Sequence, residues 1–194
     1  MPRCQADRCQ RADARGPMPG CRWAWRRLQP EAMRAIAHPP PAASREMTLP
    51  DEAATAALAR RIANLARAGD VIALTGDLGA GKTFFARAFI GESDVPSPTF
   101  TLVQIYENPP GCPGARVWHF DLYRLKQPDE AIELDIEDAF TEGVSLVEWP
   151  DRLGPLLPAE RLDVLLEFLP DPLARSARLT GTGRWARLLP EVVL

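Results

Sequence analysis

The chain contains the run Gly76-Asp77-Leu78-Gly79-Ala80-Gly81-Lys82-Thr83, which fits the pattern G-x-x-x-x-G-K-[ST] of phosphate-binding loops. An apolar segment, residues 71–74, precedes this run, and residues 84–89 follow it with the composition of a helix. The pattern points to a nucleotide site only when it lies between a strand and a helix. Because both neighbours have the required character, the sequence predicts a strand, a phosphate-binding loop and a helix in this order.

The chemistry of the loop follows from three residue types. Glycines allow successive backbone N–H groups to turn inward and form a nest for an anion, and the first turn of the helix adds its own unpaired N–H groups. Lys82 supplies a mobile positive charge for the β- and γ-phosphates, and the Thr83 hydroxyl is suited to ligate the accompanying magnesium. We therefore predict that the loop binds the phosphates of a nucleoside triphosphate together with Mg²⁺.

Composition and charge exclude several classes of protein. The 194 residues are 46% hydrophobic, enough for one good core, and no window is long and apolar enough to span a bilayer. Residues 1–46 carry nine Arg against four acidic residues, so the net charge of −3 leaves −8 on the rest of the chain. An acidic body argues against a nonspecific nucleic-acid binder, whose basic face would dominate its affinity. We expect a cytoplasmic enzyme or switch, with no direct sequence-specific nucleic-acid binding and no membrane contact.

Residues 1–46 have the composition of an arm rather than of a domain. They hold seven of the 20 prolines and no sustained apolar period. A basic tail or a targeting peptide is one interpretation, but the composition favours a disordered Arg- and Pro-rich extension, with Met47 as a possible true start. Removal of residues 1–46 is then expected to leave stability unchanged, and residues 47–194 are predicted to form a single P-loop domain.

The four cysteines do not form a recognisable metal site. Cys4, Cys9 and Cys21 lie in the arm without C-x-x-C spacing, and Cys112 stands alone in the body of the chain. Only two histidines, at positions 38 and 119, are present to complete a zinc site. We interpret the cysteines as reduced thiols of a cytosolic protein.

Hydrophobic periodicity predicts a mixed α/β fold. Helix-start chemistry at Thr48 and residues 49–52 opens a helix that Gly69 ends, and a further helix is expected from Pro128. The strands predicted after the loop are residues 99–106, 115–122, 144–149, 162–168 and 175–179, the last at a sheet edge. Helices and strands alternate in the first part of the chain, and several strands follow closely on one another in the later part. We therefore predict a P-loop NTPase-like mixed sheet flanked by helices, with a β-hairpin and added C-terminal strands.

Two acidic residues close predicted strands. Glu148 ends one apolar strand and Asp121 ends another. In open α/β sheets ligands bind beyond the carboxyl ends of the strands, and a phosphate-loop enzyme needs a second carboxylate to hold magnesium or orient water. Glu148 is therefore expected to serve the site, whereas Asp121 is equally well explained as a solvated acid at a strand end.

Five blocks of the chain match one known family in the right order. They are Leu49-Pro50-Asp51-Glu52, GDLGAGKT from Gly76, SPTFTLV from Ser97, HFDLYRL from His119 and VEWP from Val147. On these blocks the chain resembles the TsaE family, also called YjeE, the ATPase component of bacterial tRNA threonylcarbamoyladenosine synthesis. The likeness covers roughly residues 48–180. The loop alone is widespread, and HFDLYRL and EWP are the more specific blocks.

The resemblance implies roles for residues at the matching positions. Thr83 and Glu148 would hold magnesium, and Lys82, Asp121 and Glu148 would be the catalytic residues. Thr99 would belong to a switch segment near the γ-phosphate, and Trp149 would lie close to the nucleotide. The remaining nucleotide contacts would come from Glu52, Gly79, Ala80, Gly81, Lys82, Thr83, Phe84 and Arg175.

The resemblance also implies an activity and its partners. The protein would be an Mg²⁺-dependent ATPase, weak alone and stimulated by its partners, TsaD and TsaB. Hydrolysis of ATP to ADP would drive a cycle of that complex, and the chain itself would perform no tRNA chemistry.

Two positions depart from the family pattern. Phe84 replaces a second hydroxyl residue after the loop threonine, which affects only a side-chain contact because the backbone N–H is retained. Asp135 stands where the family commonly has glycine. If that glycine requires a positive φ, aspartate tolerates it better than most residues.

Three other functions are open on the sequence alone. A small-molecule kinase would need an Arg-rich lid, and the segment after Asp121 offers only Arg124. A GTPase is suggested by the D-x-x-G at residues 151–154, but neither lysine lies in an N-K-x-D element. The third is a structural nucleotide binder without turnover.

His119, between two aromatic residues, is interpreted as a packed strand residue and is left out of the catalytic set.

Overall fold

The computed structural model describes residues 42–92 and 97–194 and contains a seven-stranded mixed sheet. The strands are β1 (Ala43–Leu49), β2 (Val71–Thr75), β3 (Val103–Glu107), β4 (Arg116–Asp121), β5 (Val144–Glu148), β6 (Leu162–Phe168) and β7 (Arg175–Gly181). Their order across the sheet is β1-β7-β6-β2-β5-β4-β3. The predicted fold class, a mixed sheet with a hairpin and added C-terminal strands, is confirmed.

Helices cover both faces of the sheet. The α-helices are α1 (Glu52–Ala63), α2 (Lys82–Ile90), α3 (Ile136–Glu142) and α4 (Arg184–Leu188), with 3₁₀ segments at Pro128–Leu134, Pro150–Leu156 and Leu189–Glu191. Apolar side chains of α1, α2 and α4 join one buried cluster with β2, β5, β6 and β7. The other face of β4 and β5 packs under α3 in a second cluster. Burial on both faces explains why the inner strands are almost continuously apolar.

Strand β1 moves the predicted boundary between arm and domain. It begins at Ala43 and pairs with β7 in an antiparallel ladder from Ala43↔Gly181 to Leu49↔Arg175. Residues 43–46 therefore belong to the sheet rather than to the arm, and a chain starting at Met47 would lose half of the strand. The rest of the predicted arm, with Cys4, Cys9 and Cys21, lies outside the described residues.

The same pairing corrects two other predictions. Strand β7 is not at an edge, because β1 covers it on one side and β6 on the other. Helix α1 starts later than predicted, since Thr48 lies within β1 and the N-cap is Asp51, whose Oδ1 accepts a 2.7 Å hydrogen bond from Ala54 N. A carboxylate cap of this kind satisfies one of the unpaired N–H groups of the first turn.

The hairpin forms as predicted, but its first strand is shorter. Strand β3 begins at Val103 rather than at Thr99, and residues 98–102 form a turn with Leu102 at a φ of 63°. Leu102 N donates to the Pro98 carbonyl at 2.6 Å, and Asp121 N donates to the Leu102 carbonyl at 3.0 Å. This turn places residues 97–99 against the end of β4 instead of extending the ladder.

The helix predicted from Pro128 is divided at Asp135. A 3₁₀ segment ends at Leu134 and α3 starts at Ile136, with Asp135 between them at φ 55° and ψ 36°. This position therefore does require the left-handed conformation, as the sequence suggested for the departure from glycine. Aspartate adopts it at less cost than most non-glycine residues.

Candidate functional site

Four parallel strands bring their carboxyl ends to one edge of the sheet. Strands β6, β2, β5 and β4 are parallel neighbours in this order. The loop at Gly76 leaves the end of β2, and Asp121 and Glu148 are paired across the last residues of β4 and β5. The loop, both acids and the start of α2 consequently lie together, at the position where α/β sheets bind ligands.

The loop has the backbone geometry that its glycines predict. Gly79 and Gly81 have φ values of 81° and 109°, and α2 starts directly at Lys82. A Cβ at Gly76 would collide with the carbonyl oxygen of Leu166 in the neighbouring strand. Glycine is therefore required at Gly79 and Gly81 because of their positive φ, and at Gly76 because the neighbouring strand lies so close. The result is a loop whose main chain curls at the N-terminus of α2, the geometry that binds phosphate.

A cavity of about 230 Å³ lies over this loop. Nine of the residues predicted for the site line it. They are Gly79, Gly81, Lys82, Thr83, Phe84, Thr99, Asp121, Glu148 and Trp149. Leu78, Ser97 and Tyr123 complete the lining. The structure therefore gathers the predicted catalytic and metal-binding residues around a single cavity.

The Lys82 ammonium is hydrogen-bonded to carbonyl groups of its own loop. Its Nζ donates to the carbonyls of Gly76 at 2.7 Å and Asp77 at 2.9 Å, and it lies 3.9 Å from the centre of the Trp149 ring. Burial lowers the pKa of the Lys82 amine below its ordinary value, opposed by the negative charges of Glu148 and Asp121. The ammonium thus faces two carboxylates at the cavity floor and has no carboxylate bonded to it among the described residues.

Glu148 connects the loop to a buried histidine. Its Oε2 accepts a 3.0 Å hydrogen bond from the Thr83 hydroxyl, and its Oε1 lies 2.9 Å from His119 Nε2. Glu148 is 2% exposed and His119 is fully buried. Sequence reasoning left His119 out because its aromatic neighbours suggested simple packing. The two-residue spacing from His119 to Asp121, which places both on one face of a strand, was the signal that could have found it.

Asp121 holds the turn that precedes β3. Its Oδ2 accepts hydrogen bonds from Thr99 Oγ1 at 2.6 Å and Ser97 Oγ at 3.1 Å, and its Oδ1 accepts one from Tyr123 N at 3.2 Å. The side chain is 4% exposed. Asp121 is therefore not a solvated acid at a strand end, which was the alternative left open by the sequence.

A second cavity, of about 200 Å³, lies on the other side of the loop. Glu52 from the start of α1 and Arg175 from the start of β7 line it with Ala80 and Phe84. Arg175 Nε donates to the Ala80 carbonyl at 3.2 Å, and its guanidinium carbon lies 4.6 Å from the centre of the Phe168 ring. Glu52 and Arg175 thus border the phosphate-binding loop, on the side away from Asp121 and Glu148.

Oxygen donors at the first cavity fit a magnesium ion. No group of three or more His, Cys, Asp or Glu side chains suited to a metal occurs in residues 42–92 and 97–194. Mg²⁺ is commonly bound by one or two protein oxygens together with substrate phosphates and water, so it does not need such a group. The Thr83 hydroxyl and Glu148 Oε2, 3.0 Å apart beside the loop, are oxygens that could hold such an ion.

Within the described part of the chain, no helix is long and apolar enough to cross a membrane. Comparison with known proteins identifies a family for this chain. The family model "Threonylcarbamoyl adenosine biosynthesis protein TsaE" matches residues 49–174. This range includes β2, the loop, both acids and all of the matching blocks but not the last strand.

Individual relatives agree with the family model. A tRNA threonylcarbamoyladenosine biosynthesis protein TsaE from Rickettsia conorii is 41% identical over 127 residues, covering 63% of this chain and 70% of the relative. The protein of the same name from Bacillus subtilis is 38% identical over 142 residues, covering 71% and 85%. The crystal structure of Bacillus subtilis YdiB superposes with a TM-score of 0.63 at 29% identity, covering 78% of this chain and 94% of that one. This chain therefore belongs to the TsaE family of tRNA threonylcarbamoyladenosine biosynthesis proteins.

Proposed function

We propose that this protein binds ATP with Mg²⁺ and hydrolyses it slowly, as the switch component of the machinery that makes threonylcarbamoyladenosine next to the tRNA anticodon. Its partners in this role would be TsaD and TsaB. The observation that carries the proposal is the single cavity over the loop in which Lys82, Thr83, Asp121 and Glu148 meet. Membership of the family supports the pathway, and the cavity supports the chemistry.

The loop and Lys82 would bind the triphosphate. Backbone N–H groups at the start of α2 and the positive end of its dipole favour the phosphate oxygens. The Lys82 ammonium, bonded to two loop carbonyls in this structure, would exchange these neutral partners for charged phosphate oxygens. Burial disfavours the charged form of Lys82, so contact with the triphosphate would be the more favourable state of the side chain.

Thr83 and Glu148 would hold the divalent ion. Magnesium neutralises charge on the β- and γ-phosphates during transfer. The chain's contribution is to keep the hydroxyl and one carboxylate oxygen side by side, which their 3.0 Å hydrogen bond does. Neither of the two departures from the family pattern removes one of these oxygens.

Asp121 would couple the γ-phosphate to the turn at residues 97–99. Asp121 accepts from both hydroxyls of this turn and lines the same cavity as the loop. In hydrolysis a water attacks the γ-phosphorus, the bond to the β-phosphate oxygen breaks, and the water's proton leaves for a nearby base or solvent. Asp121 is placed to orient that water, and loss of γ-phosphate would free the turn to move, as in other phosphate-loop switches. Residues 93–96, which precede this turn, lie outside the described residues.

The nucleoside would lie towards the second cavity. Glu52, Ala80 and Arg175 border that cavity and continue the path of the loop away from the acids. Glu52 offers a carboxylate acceptor for ribose or base donors, and the Arg175 guanidinium offers a flat surface for stacking. This assignment would give Glu52 and Arg175 a common role in binding the nucleoside.

The proposal is tested with the full chain, alone and with its partners. Purified protein should bind ATP and ADP, release inorganic phosphate slowly, and release it faster when TsaD and TsaB are added. Asp121→Asn should retain ATP binding and lose most turnover, because the amide still accepts from Thr99 but no longer carries charge. A phosphorylated metabolite in place of free phosphate would favour the kinase alternative, and preference for GTP would also contradict the proposal.

A further inference from the structure

We infer that His119 is a positioning residue for the Glu148 carboxylate, fixing the rotation that keeps one carboxylate oxygen beside Thr83. The inference rests on the proposed function, in which Thr83 and Glu148 hold a divalent cation. It assigns a role to a buried histidine that does not itself line the cavity but contacts Glu148, which does.

Each oxygen of Glu148 has its own side-chain partner. Oε1 lies 2.9 Å from His119 Nε2, and Oε2 lies 3.0 Å from Thr83 Oγ1. An ionised carboxylate can only accept, so the contact requires His119 to carry its proton on Nε2 and donate it. The carboxylate is thus oriented from two sides, by the loop and by the interior of the sheet.

The position of His119 follows from the pairing of β4 with β5. Val117, His119 and Asp121 alternate along one face of β4, running from the apolar core to the edge of the cavity. The parallel register pairs His119 with Leu146 and Asp121 with Glu148. His119 therefore lies diagonally behind Glu148, one step deeper in the sheet, within reach of long side chains on the same face.

The surroundings of His119 make a purely structural role costly. The residue is fully buried, and the neighbouring positions Val117 and Leu146 on the same face belong to the apolar core. Its second ring nitrogen, Nδ1, has no hydrogen-bond partner among the described residues. An apolar side chain would fill this place without burying an unpaired polar atom. Within residues 42–92 and 97–194, the one side-chain hydrogen bond of His119 is to Glu148, and this bond distinguishes it from such a side chain.

A fixed carboxylate matters because Glu148 has rotatable side-chain bonds. Without a partner on Oε1, the carboxylate is held only by the Thr83 hydroxyl, which is itself needed at the cation. Partners behind a metal ligand orient it, and their removal typically lowers metal affinity about 10–100-fold. A His119 variant is therefore expected to bind the cation more weakly, while the loop binds the phosphates as in the wild type.

The test compares nucleotide binding with and without a divalent cation. The full-length wild type, His119→Leu and His119→Gln are titrated with a non-hydrolysable ATP analogue in Mg²⁺ and in EDTA. Bound Mn²⁺ is followed by electron paramagnetic resonance in the presence of the same analogue. Val117→Ala is the matched control, since it perturbs the same face of β4 without touching Glu148. Melting temperatures establish that each variant is folded.

His119→Leu should weaken Mn²⁺ binding about 10–100-fold and leave binding in EDTA unchanged. His119→Gln should restore most of the loss, because its terminal amide nitrogen can donate from a similar place. Val117→Ala should lower the melting temperature and keep the full effect of the cation. If His119→Leu does not fold, His119→Asn replaces it, and its shorter side chain should lose the effect that Gln keeps.

Two results would overturn the inference. One is a folded His119→Leu or His119→Asn variant in which Mg²⁺ strengthens analogue binding as much as in the wild type. The other is a His119→Gln variant as weak as His119→Leu. A wild type whose analogue binding does not respond to Mg²⁺ would instead contradict the proposed function, so the two failures are distinguishable.

Discussion

The ammonium of Lys82 lies 3.9 Å from the centre of the Trp149 ring while it donates to the carbonyls of Gly76 and Asp77. Trp149 reaches this place because it adopts a left-handed backbone, with φ 61° and ψ 52°, immediately after β5 ends at Glu148. Tyr123 also packs against the Trp149 ring, with ring centres 5.0 Å apart. Any ligand that draws Lys82 towards a phosphate must therefore change the surroundings of Trp149.

The first prediction concerns this contact. Addition of ATP should change tryptophan fluorescence in the wild type, and Trp149→Phe should remove the change although the four other tryptophans, Trp23, Trp25, Trp118 and Trp185, remain. Lys82→Ala should weaken triphosphate binding about 10–100-fold, because a charge-assisted hydrogen bond is lost. Lys82→Arg is the control for charge alone and should also bind poorly, since a planar guanidinium does not fit the loop as a compact ammonium does. Unchanged ATP affinity in Lys82→Ala would refute the role of the loop.

The second prediction separates cation binding from phosphate binding. Thr83→Ala and Glu148→Gln should each reduce Mg²⁺-dependent turnover about 100-fold or more, because the cation is worth several kcal/mol in the transition state. Binding of ADP in EDTA should change little in either variant. Phosphate release and calorimetric titration provide the two measurements. If turnover and ADP binding in EDTA fell by the same factor, these residues would support only the structure of the site.

The third prediction concerns the N-terminal boundary. Deletion of residues 1–41 should leave the free energy of unfolding unchanged, as expected for an arm. Deletion of residues 1–46 should lower it by about 1–3 kcal/mol, because four of the seven paired positions of β1 are lost along with their ladder hydrogen bonds. Urea denaturation of the two truncated proteins measures the difference. Equal stability of both would mean that β1 contributes nothing to the sheet.

The fourth prediction concerns a partly buried ion pair at the opposite end of β2 from the loop. Arg184 Nη1 donates to Asp70 Oδ2 at 2.6 Å, and Arg67 N donates to the same oxygen at 2.9 Å. Burial raises the pKa of Asp70 above its ordinary value, opposed by the hydrogen bond from Arg67 and the charge of Arg184. Arg184→Met should therefore raise this pKa further and cost about 1–3 kcal/mol at neutral pH, below the range for a fully buried pair.

The pH dependence of that cost has a defined sign. A raised pKa in the folded state means that the stability contributed by protonated Asp70 is fully present below its unfolded pKa of about 3.9 and is lost as pH rises through the folded pKa. The difference between wild type and Arg184→Met should thus grow as pH rises from acid to neutral. The double variant Arg184→Met with Asp70→Asn is the control, and its stability loss should be nearly independent of pH. A constant difference between wild type and Arg184→Met would contradict the pairing.

Much of the fold was accessible from local pattern. The apolar run at β2, the glycines of the loop and the helix after Lys82 are contiguous, and each needs only its neighbours to form. The strands β4 and β5 were equally clear, because both are short apolar runs that end in an acid. Prediction failed where contacts distant in sequence decided the outcome, as at Thr99, whose hydroxyl bonds Asp121 instead of continuing a strand.

The ends of the sheet show the same limit. Residues 43–46 have an Arg- and Glu-containing sequence that resembles the preceding arm, and only β7, more than 130 positions later, gives them a partner. Strand β7 was predicted at the edge of the sheet, but β1 pairs with the side expected to face solvent. The sequence of a strand does not by itself show which other strand will hydrogen-bond to it.

The sequence was sufficient to identify the phosphate-binding loop and the lysine, hydroxyl and glutamate that belong with it, because backbone curvature and residue chemistry are properties of a short contiguous run. The three-dimensional arrangement alone revealed that His119 meets Glu148 and that Asp121 holds the turn at residues 97–99. These partners are separated by 29, 24 and 22 positions. His119 meets Glu148 because parallel pairing sets β4 and β5 in one register. Asp121 meets Ser97 and Thr99 because the turn at residues 98–102 folds this segment against the end of β4.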